Sequence, residues 1–259
     1  PPEVCALIES NNLNMGDILN GNNLINTCEE EVSICDGLTE VELWGEWYDI
    51  ESTTVINLFN QELTGSIPPE IGCLTNLTGL LLSSNQLTGE IPSTIGNLTN
   101  LISFNLGENE LTGEIPPEIG NLTNLTHLYL HNNKLTGVLP ESIGELINLI
   151  DLNFANNQLS GSIPESIGNL TKLTNLDLQN NKLTGELPES ISNLTILTNL
   201  NISENQLDGS IPDYICTIYS NATDMDVSNN KFCPPLPDCI DTPDLLGYQE
   251  CEDCGEGLT

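Results

Sequence analysis

Residues 125–148 read LTHLYLHNNKLTGVLPESIGELIN, and this stretch decides the fold because it recurs. Residues 77–100 read LTGLLLSSNQLTGEIPSTIGNLTN, and residues 173–196 read LTNLDLQNNKLTGELPESISNLTI. Units begin at 53, 77, 101, 125, 149, 173 and 197; each has 24 residues except the last, which is one longer. A degenerate eighth unit, ATDMDVSNNKFCPPLPDCI, starts near Ala222. A period of roughly 20 to 50 residues marks a stacked-repeat architecture, in which each unit buries its apolar face against its neighbours.

Each unit divides by its chemistry. Positions 1, 4, 6 and 11 are apolar, as in Leu125, Leu128, Leu130 and Leu135. Alternation through positions 3 to 7 predicts a short strand with one buried face, with positions 3, 5 and 7 outward. Strands from successive units then stack as a parallel sheet, about 4.8 Å apart. Asn at position 9 (Asn85, Asn109, Asn133, Asn157, Asn181, Asn205, Asn230) is turned inward by the same periodicity. A buried amide has to be hydrogen-bonded, so a ladder of asparagines bonding their own and the adjacent turn is expected. Gly at position 13 permits a positive φ. Pro at position 16 removes a donor, which suits an extended or 3₁₀ return segment better than an α-helix.

The pattern LxxLxLxxNxLTGxIPxxIGxLxx resembles the plant-type leucine-rich repeat of plant receptor ectodomains, polygalacturonase-inhibiting proteins and some bacterial and algal surface proteins. The resemblance covers residues 53 to about 240. It implies a right-handed curved solenoid of the α/β repeat type, mostly β with a 3₁₀ or irregular convex side. It also implies an extra short strand at LTG and a parallel, ligand-facing concave sheet. Gln61 stands where Asn is expected, so the first unit lacks one rung of the ladder. Ser192 and Cys216 replace Gly at position 20, which implies looser geometry toward the C-terminal end.

A solenoid end exposes its core and needs a cap. The domain reading is an N-terminal cap over 1–52, seven repeats over 53–221, a degenerate eighth repeat with C-terminal cap over 222–242, and an acidic Cys-containing tail or linker over 243–259. The nine cysteines cluster at the two ends and leave the stretch between Cys73 and Cys216 free of them. That distribution predicts disulfide-stapled caps and an oxidising compartment. Cys5–Cys28 and Cys35–Cys73 are plausible pairs that spacing cannot settle; Cys216 and Cys239 fall on neighbouring coils and are favoured as a pair. Only Cys251 and Cys254 have C-x-x-C spacing, without a second such pair, which argues against zinc. The start at Pro1-Pro2 reads as a mature secreted protein or a cut fragment.

Composition excludes several functions. Asp and Glu number 38 against 4 Lys and no Arg, giving a formal charge of −34. Nucleic-acid binding rests on cations neutralising phosphates, and anionic membranes need the same, so neither is a partner. No apolar run approaches the roughly 18 residues of a membrane span.

The outward positions carry several chemistry-bearing residues. His127 and His131 flank Tyr129 on one strand, but residues four apart on a strand lie about 13 Å apart, so one metal ion cannot take both. Asp151, Asp177, Asp224 and Asp226 alternate with Asn153, Asn175, Asn199 and Asn201. Such oxygens suit calcium, yet no ligand loop accompanies them, and no cofactor is expected. No nucleophile elbow, phosphate loop or zinc-protease motif occurs, so an enzyme is not expected. Sequons at Asn76, Asn97, Asn121, Asn124, Asn169, Asn193 and Asn221 mostly fall on the return side as glycosylation candidates; Asn201 carries another on the inner sheet.

The sequence therefore predicts a non-enzymatic extracellular or cell-surface recognition module. It would bind a protein, peptide or glycan of cationic character on its concave face, through Phe59, Leu81, His127, Tyr129, His131, Asp151, Asn153, Asp177, Asn199 and Asn201. These positions vary while the framework does not. The alternative is a structural or adhesive repeat protein without a discrete ligand. A remote one is ice binding by the Thr64, Thr88, Thr112, Thr136 and Thr184 row at position 12, which Ser160 and Asp208 interrupt.

Overall fold

Positions 3 to 5 of every repeat form a three-residue strand whose middle residue is apolar and buried. In chain order these are β3 (Val55–Asn57), β5 (Gly79–Leu81), β7 (Ser103–Asn105), β9 (His127–Tyr129), β10 (Asp151–Asn153), β12 (Asn175–Asp177), β14 (Asn199–Asn201) and β16 (Asp224–Asp226). They pair in parallel, in sequence order, as one eight-stranded sheet. The register is invariant: Leu128 faces Leu152, Leu152 faces Leu176, and Leu176 faces Leu200. Equal repeat length produces this register, and a one-residue slip would turn the buried row outward. The computed structural model describes residues 33–233, 237–239 and 249.

The chain divides into two compact units, Pro1–Gly37 and Leu38–Thr259. Described residues of the first form a turn, in which the Asp36 N–H donates to Ser33 O at 3.0 Å. The second opens with an antiparallel hairpin, β1 (Glu40–Leu43) and β2 (Glu46–Asp49), that buries Val41 and Leu43. Its two-residue turn holds Trp44 and Gly45 at φ 50° and 87°.

The LTG segments form the implied second set of strands: β4 (Thr64–Gly65), β6 (Gln86–Gly89), β8 (Glu110–Leu111), β11 (Ser160–Gly161), β13 (Lys182–Gly185) and β15 (Gln206–Leu207). They make two three-stranded sheets, with isolated bridges Glu114–Thr136 and Val138–Ser160 between them. The return segments are 3₁₀ turns: η1 (Pro69–Cys73), η2 (Ser93–Asn97), η3 (Pro117–Asn121), η4 (Glu141–Glu145), η5 (Glu165–Asn169) and η6 (Glu189–Asn193). Each follows a proline in extended conformation, as the fixed φ of proline requires. Ile at position 19 and Leu at position 22 return to the core, where Ile143 and Leu146 are buried.

Glycine at position 20 has a steric cause. A Cβ on Gly120 would lie 2.6 Å from Ser142 Cβ and from Ser142 O on the next coil. Ser192 breaks this rule, and on the next coil the return segment is no longer 3₁₀ but an α-helix, α1 (Ile215–Tyr219). Side chains too large for the close stack thus coincide with a changed backbone.

The asparagine ladder is present. Asn157 Oδ1 accepts the Leu135 N–H at 3.0 Å; Nδ2 donates to Leu130 O on the preceding coil at 3.0 Å and to Phe154 O on its own at 3.1 Å. Asn109, Asn181 and Asn205 repeat the arrangement. Gln61 lacks it and bonds its amide to its own turn, at Phe59 O and Asn60 O. Asn85 of the second coil compensates by accepting both the Gln61 and Leu63 N–H groups.

Cys216 and Cys239 form the expected disulfide, with Cα atoms 5.7 Å apart. Cys35, Cys73 and Cys233 are also disulfide-bonded. Cys5 and Cys28 lie outside the described residues.

Candidate functional site on the strand face

One part of the sequence reading needs correction. The strand covers positions 3 to 5 only, and position 7 falls in the following turn rather than on an outward row. Ser83, Ala155 and Ser203 there are buried. Phe59 remains exposed, and His131 is half-buried. The cause is the tight turn that follows, where position 8 takes a positive φ in every coil, from Asn60 at 53° to Asn229 at 52°.

Position 5 has a structural duty that sequence variability concealed. Asn105 Oδ1 accepts the Gly107 N–H at 3.0 Å, and Asn153 Oδ1 accepts the Ala155 N–H at 3.0 Å. Asp177, Asn201 and Asp226 do the same for Gln179, Ser203 and Ser228. These are Asx turns, in which a short carboxylate or amide closes the backbone two residues on. Asn153, Asp177 and Asn201 are therefore framework as well as surface. Leu81 and Tyr129 occupy the same position, and neither side chain can make this bond. They are departures from a local rule, which mark places where another requirement prevails.

Around Tyr129 the face is organised. The Tyr129 hydroxyl donates to Asp151 Oδ2 at 2.8 Å, and Asn175 Nδ2 donates to Asp151 Oδ1 at 2.6 Å. Burial and this bond to the carboxylate both hold the phenol in its neutral form by raising its pKa. The Tyr129 ring stands between two imidazoles, with centroids 6.1 Å from His127 and 6.3 Å from His131. Thr126 Oγ1 lies 2.8 Å from His127 Nδ1 and gives its own hydrogen to Ile102 O. The neutral His127 ring must then donate from Nδ1, which leaves Nε2 as an acceptor toward solvent. His131 lies over Gly107, where a Cβ would run into its ring. Among the described residues its Nδ1 is buried without a hydrogen-bond partner.

The two ends of the face differ. Val55 is 54% and Phe59 55% exposed, and Leu81 is half-buried beside the small Gly79. Beyond Tyr129 the outward positions are Asp151, Asn153, Asn175, Asp177, Asn199, Asn201, Asp224 and Asp226. Asp177 has its pKa raised by desolvation first, with Asp151 adding repulsion, against the Gln179 hydrogen bonds and His131. None of the four lysines lies on a strand of this sheet. Among the described residues no cluster of His, Cys, Asp or Glu can hold a metal ion.

The remaining candidates are placed elsewhere. Asn97, Asn121, Asn169 and Asn193 are exposed and close the 3₁₀ turns. Asn124 and Asn221 are exposed, but donate their amides to Thr99 O and Thr195 O of the preceding coil, and exposed Asn76 donates to Glu51 O just before the first repeat. No helix among the described residues is long and apolar enough to cross a membrane.

Stacked coils, a parallel strand face, an asparagine ladder and LTG strands define a leucine-rich-repeat solenoid. The family described as leucine-rich repeat region matches residues 105–216, and leucine rich repeat matches residues 76–98. The chain belongs to the leucine-rich-repeat proteins of the plant type. It is similar to the plant peptide hormone receptor RGFR1, solved in complex with RGF2, at 40% identity and TM-score 0.67 over 69% of this chain. The match takes in 28% of that receptor chain, so this chain spans under a third of it. It is similar to the Leptospira interrogans LRR protein LIC12759 at 35% identity and TM-score 0.58, over 68% of this chain and 43% of that one. A plant ice-binding protein matches at 27% identity and TM-score 0.56, over 76% of this chain and 71% of that one. A comparison with curated proteins returns no match.

Proposed function

We propose that this chain is an extracellular, non-enzymatic recognition module that binds a peptide or an extended protein segment on its strand face. The observation that carries the reading is the departure from the Asx rule at Leu81 and Tyr129, together with the fixed Tyr129–Asp151–Asn175 network. A purely spacing or adhesive protein has no need to give up a backbone-closing Asn for a leucine or a tyrosine. Both Asp151 oxygens are occupied by protein donors, so this carboxylate serves to hold shape. A peptide is favoured over a glycan because the similar plant receptor is a peptide hormone receptor. Disulfides belong to oxidising compartments, which supports a place outside the cell. The net charge supports a cationic partner whose association slows with salt. Glycans on the exposed return-side asparagines would leave the strand face clear.

The test is selection from a random dodecapeptide display library on the wild-type protein. Recovered peptides are expected to lose binding to Tyr129→Asn and keep it to Ile147→Ser, which alters an exposed residue off the strand face. Peptides that bind Tyr129→Asn undiminished would refute the reading.

A further inference from the structure

The strand face is graded along the solenoid, and the grading says more than that a peptide binds. At the first two coils Val55 and Leu81 on the strands and Phe59 in the turn beside them make this end mostly apolar, with Asn57 the polar exception. In the middle stand three rings. Beyond them every outward group on β10, β12, β14 and β16 is a carboxylate or an amide, and no lysine faces them.

The choice of Asp at position 177 is informative. Asn105, Asn153 and Asn201 show that Asn closes the position-5 turn on its own. An Asp there closes the same turn through Oδ1 and adds a charge in a partly desolvated place beside Asp151. Its Oδ2 takes one long bond from Gln179 Nε2 at 3.4 Å, but the charge itself weakens the fold, since a desolvated like-charge pair is unfavourable. A bound cation would remove the penalty.

We propose that the face takes an extended peptide that crosses Tyr129, setting an apolar side chain on Leu81 and a lysine or arginine side chain on Asp177. The inference rests on the peptide-binding reading and deepens it by fixing two anchors and their separation. From β5, which carries Leu81, to β12, which carries Asp177, the sheet advances four strands. Four strand spacings come to about 19 Å, and an extended chain advances about 3.3 Å per residue, so the two anchors fall about six residues apart. A peptide carboxylate finds no counter-charge at this end of the face.

The peptides recovered by the selection above test this directly, using variants that keep the fold. Leu81→Asn and Asp177→Asn both place the residue that closes the turn elsewhere in the sheet. Alignment of the peptides should show a basic and an apolar residue about six apart. By calorimetry Asp177→Asn should weaken a recovered peptide about tenfold or more, and should scarcely affect the same peptide with norleucine at its basic position. Leu81→Asn should be silent only when the apolar anchor is removed. The double variant Glu118→Gln, Glu145→Gln on the return side changes net charge at two exposed positions and controls for diffuse attraction. Equal weakening by that variant, or basic residues without fixed spacing, would overturn the two-anchor proposal while leaving peptide recognition standing. Binding that survives Tyr129→Asn would instead remove the recognition reading, and the anchors with it.

Discussion

Gln249 does for Phe232 what Asn230 does for Leu207. The Phe232 N–H donates to Gln249 Oε1 at 3.1 Å, and Gln249 Nε2 donates to Val227 O at 3.1 Å. Asn230 accepts the Leu207 N–H at 3.0 Å and donates to Ile202 O at 3.0 Å. A glutamine outside the repeats thus adds an eighth rung to the seven asparagines of the amide ladder and satisfies backbone groups at the terminal coil.

Removing a rung should cost according to burial. Asn157→Ala strands the Leu135 N–H inside the core and leaves the Leu130 carbonyl only its bond from Asn133, and should lower unfolding free energy by about 2 kcal/mol. Gln249→Ala should cost about 1 kcal/mol and act locally. Denaturant titration reads the first; faster amide exchange at Phe232, with interior coils unchanged, reads the second.

Backbone strain at position 8 can be relieved. Glu204 sits at φ 53° and is exposed. Glu204→Gly or Glu204→Asn should stabilise the protein by about 0.5–1 kcal/mol, because only Gly and Asn tolerate this region well. An unchanged or lowered denaturation midpoint would count against that reading.

Glycine at position 20 should resist substitution by even a methyl group. Gly120→Ala drives a Cβ toward Ser142 O, and should cost about 1–3 kcal/mol by forcing two coils apart. Ser192→Ala should be close to neutral, since that coil already accommodates a side chain. A thermal melt of both variants distinguishes them.

Asp177 links the site to pH. Its carboxyl is held above the usual carboxylate range, chiefly by burial, so the folded protein binds this proton more tightly than the unfolded chain. Stability is therefore lost as pH rises from the ordinary Asp value through the raised folded one, and the penalty is complete above it. Asp177→Asn should raise the melting temperature at neutral pH, and the gain should vanish below about pH 3.5. A gain that persists in acid would place its cause elsewhere.

The solenoid was legible because its cause is periodic: one 24-residue spacing sets strand register, the Asn157-type rungs and the Pro140-type turn entries together. The strand face was legible in outline and misread in detail. Alternation suggested that position 7 faces outward, whereas the positive φ at position 8 pulls Ser83 and Ala155 inward. Asn153 and Asp177 looked variable because Asn and Asp both close an Asx turn; a search for Asx two residues before each turn would have separated them from Leu81 and Tyr129. Gln249 carried no periodic signal, since it substitutes for a rung without belonging to a repeat.

The central claim is that the face carrying Tyr129 meets the ligand. Hydrogen exchange of the protein saturated with a recovered peptide tests it most directly. Slowed exchange is expected in the strands from Gly79–Leu81 to Asn175–Asp177 and their following turns, with the return turns unchanged. Protection confined to the groove of about 510 Å³ between Glu141 and Tyr214 on the return side would contradict it.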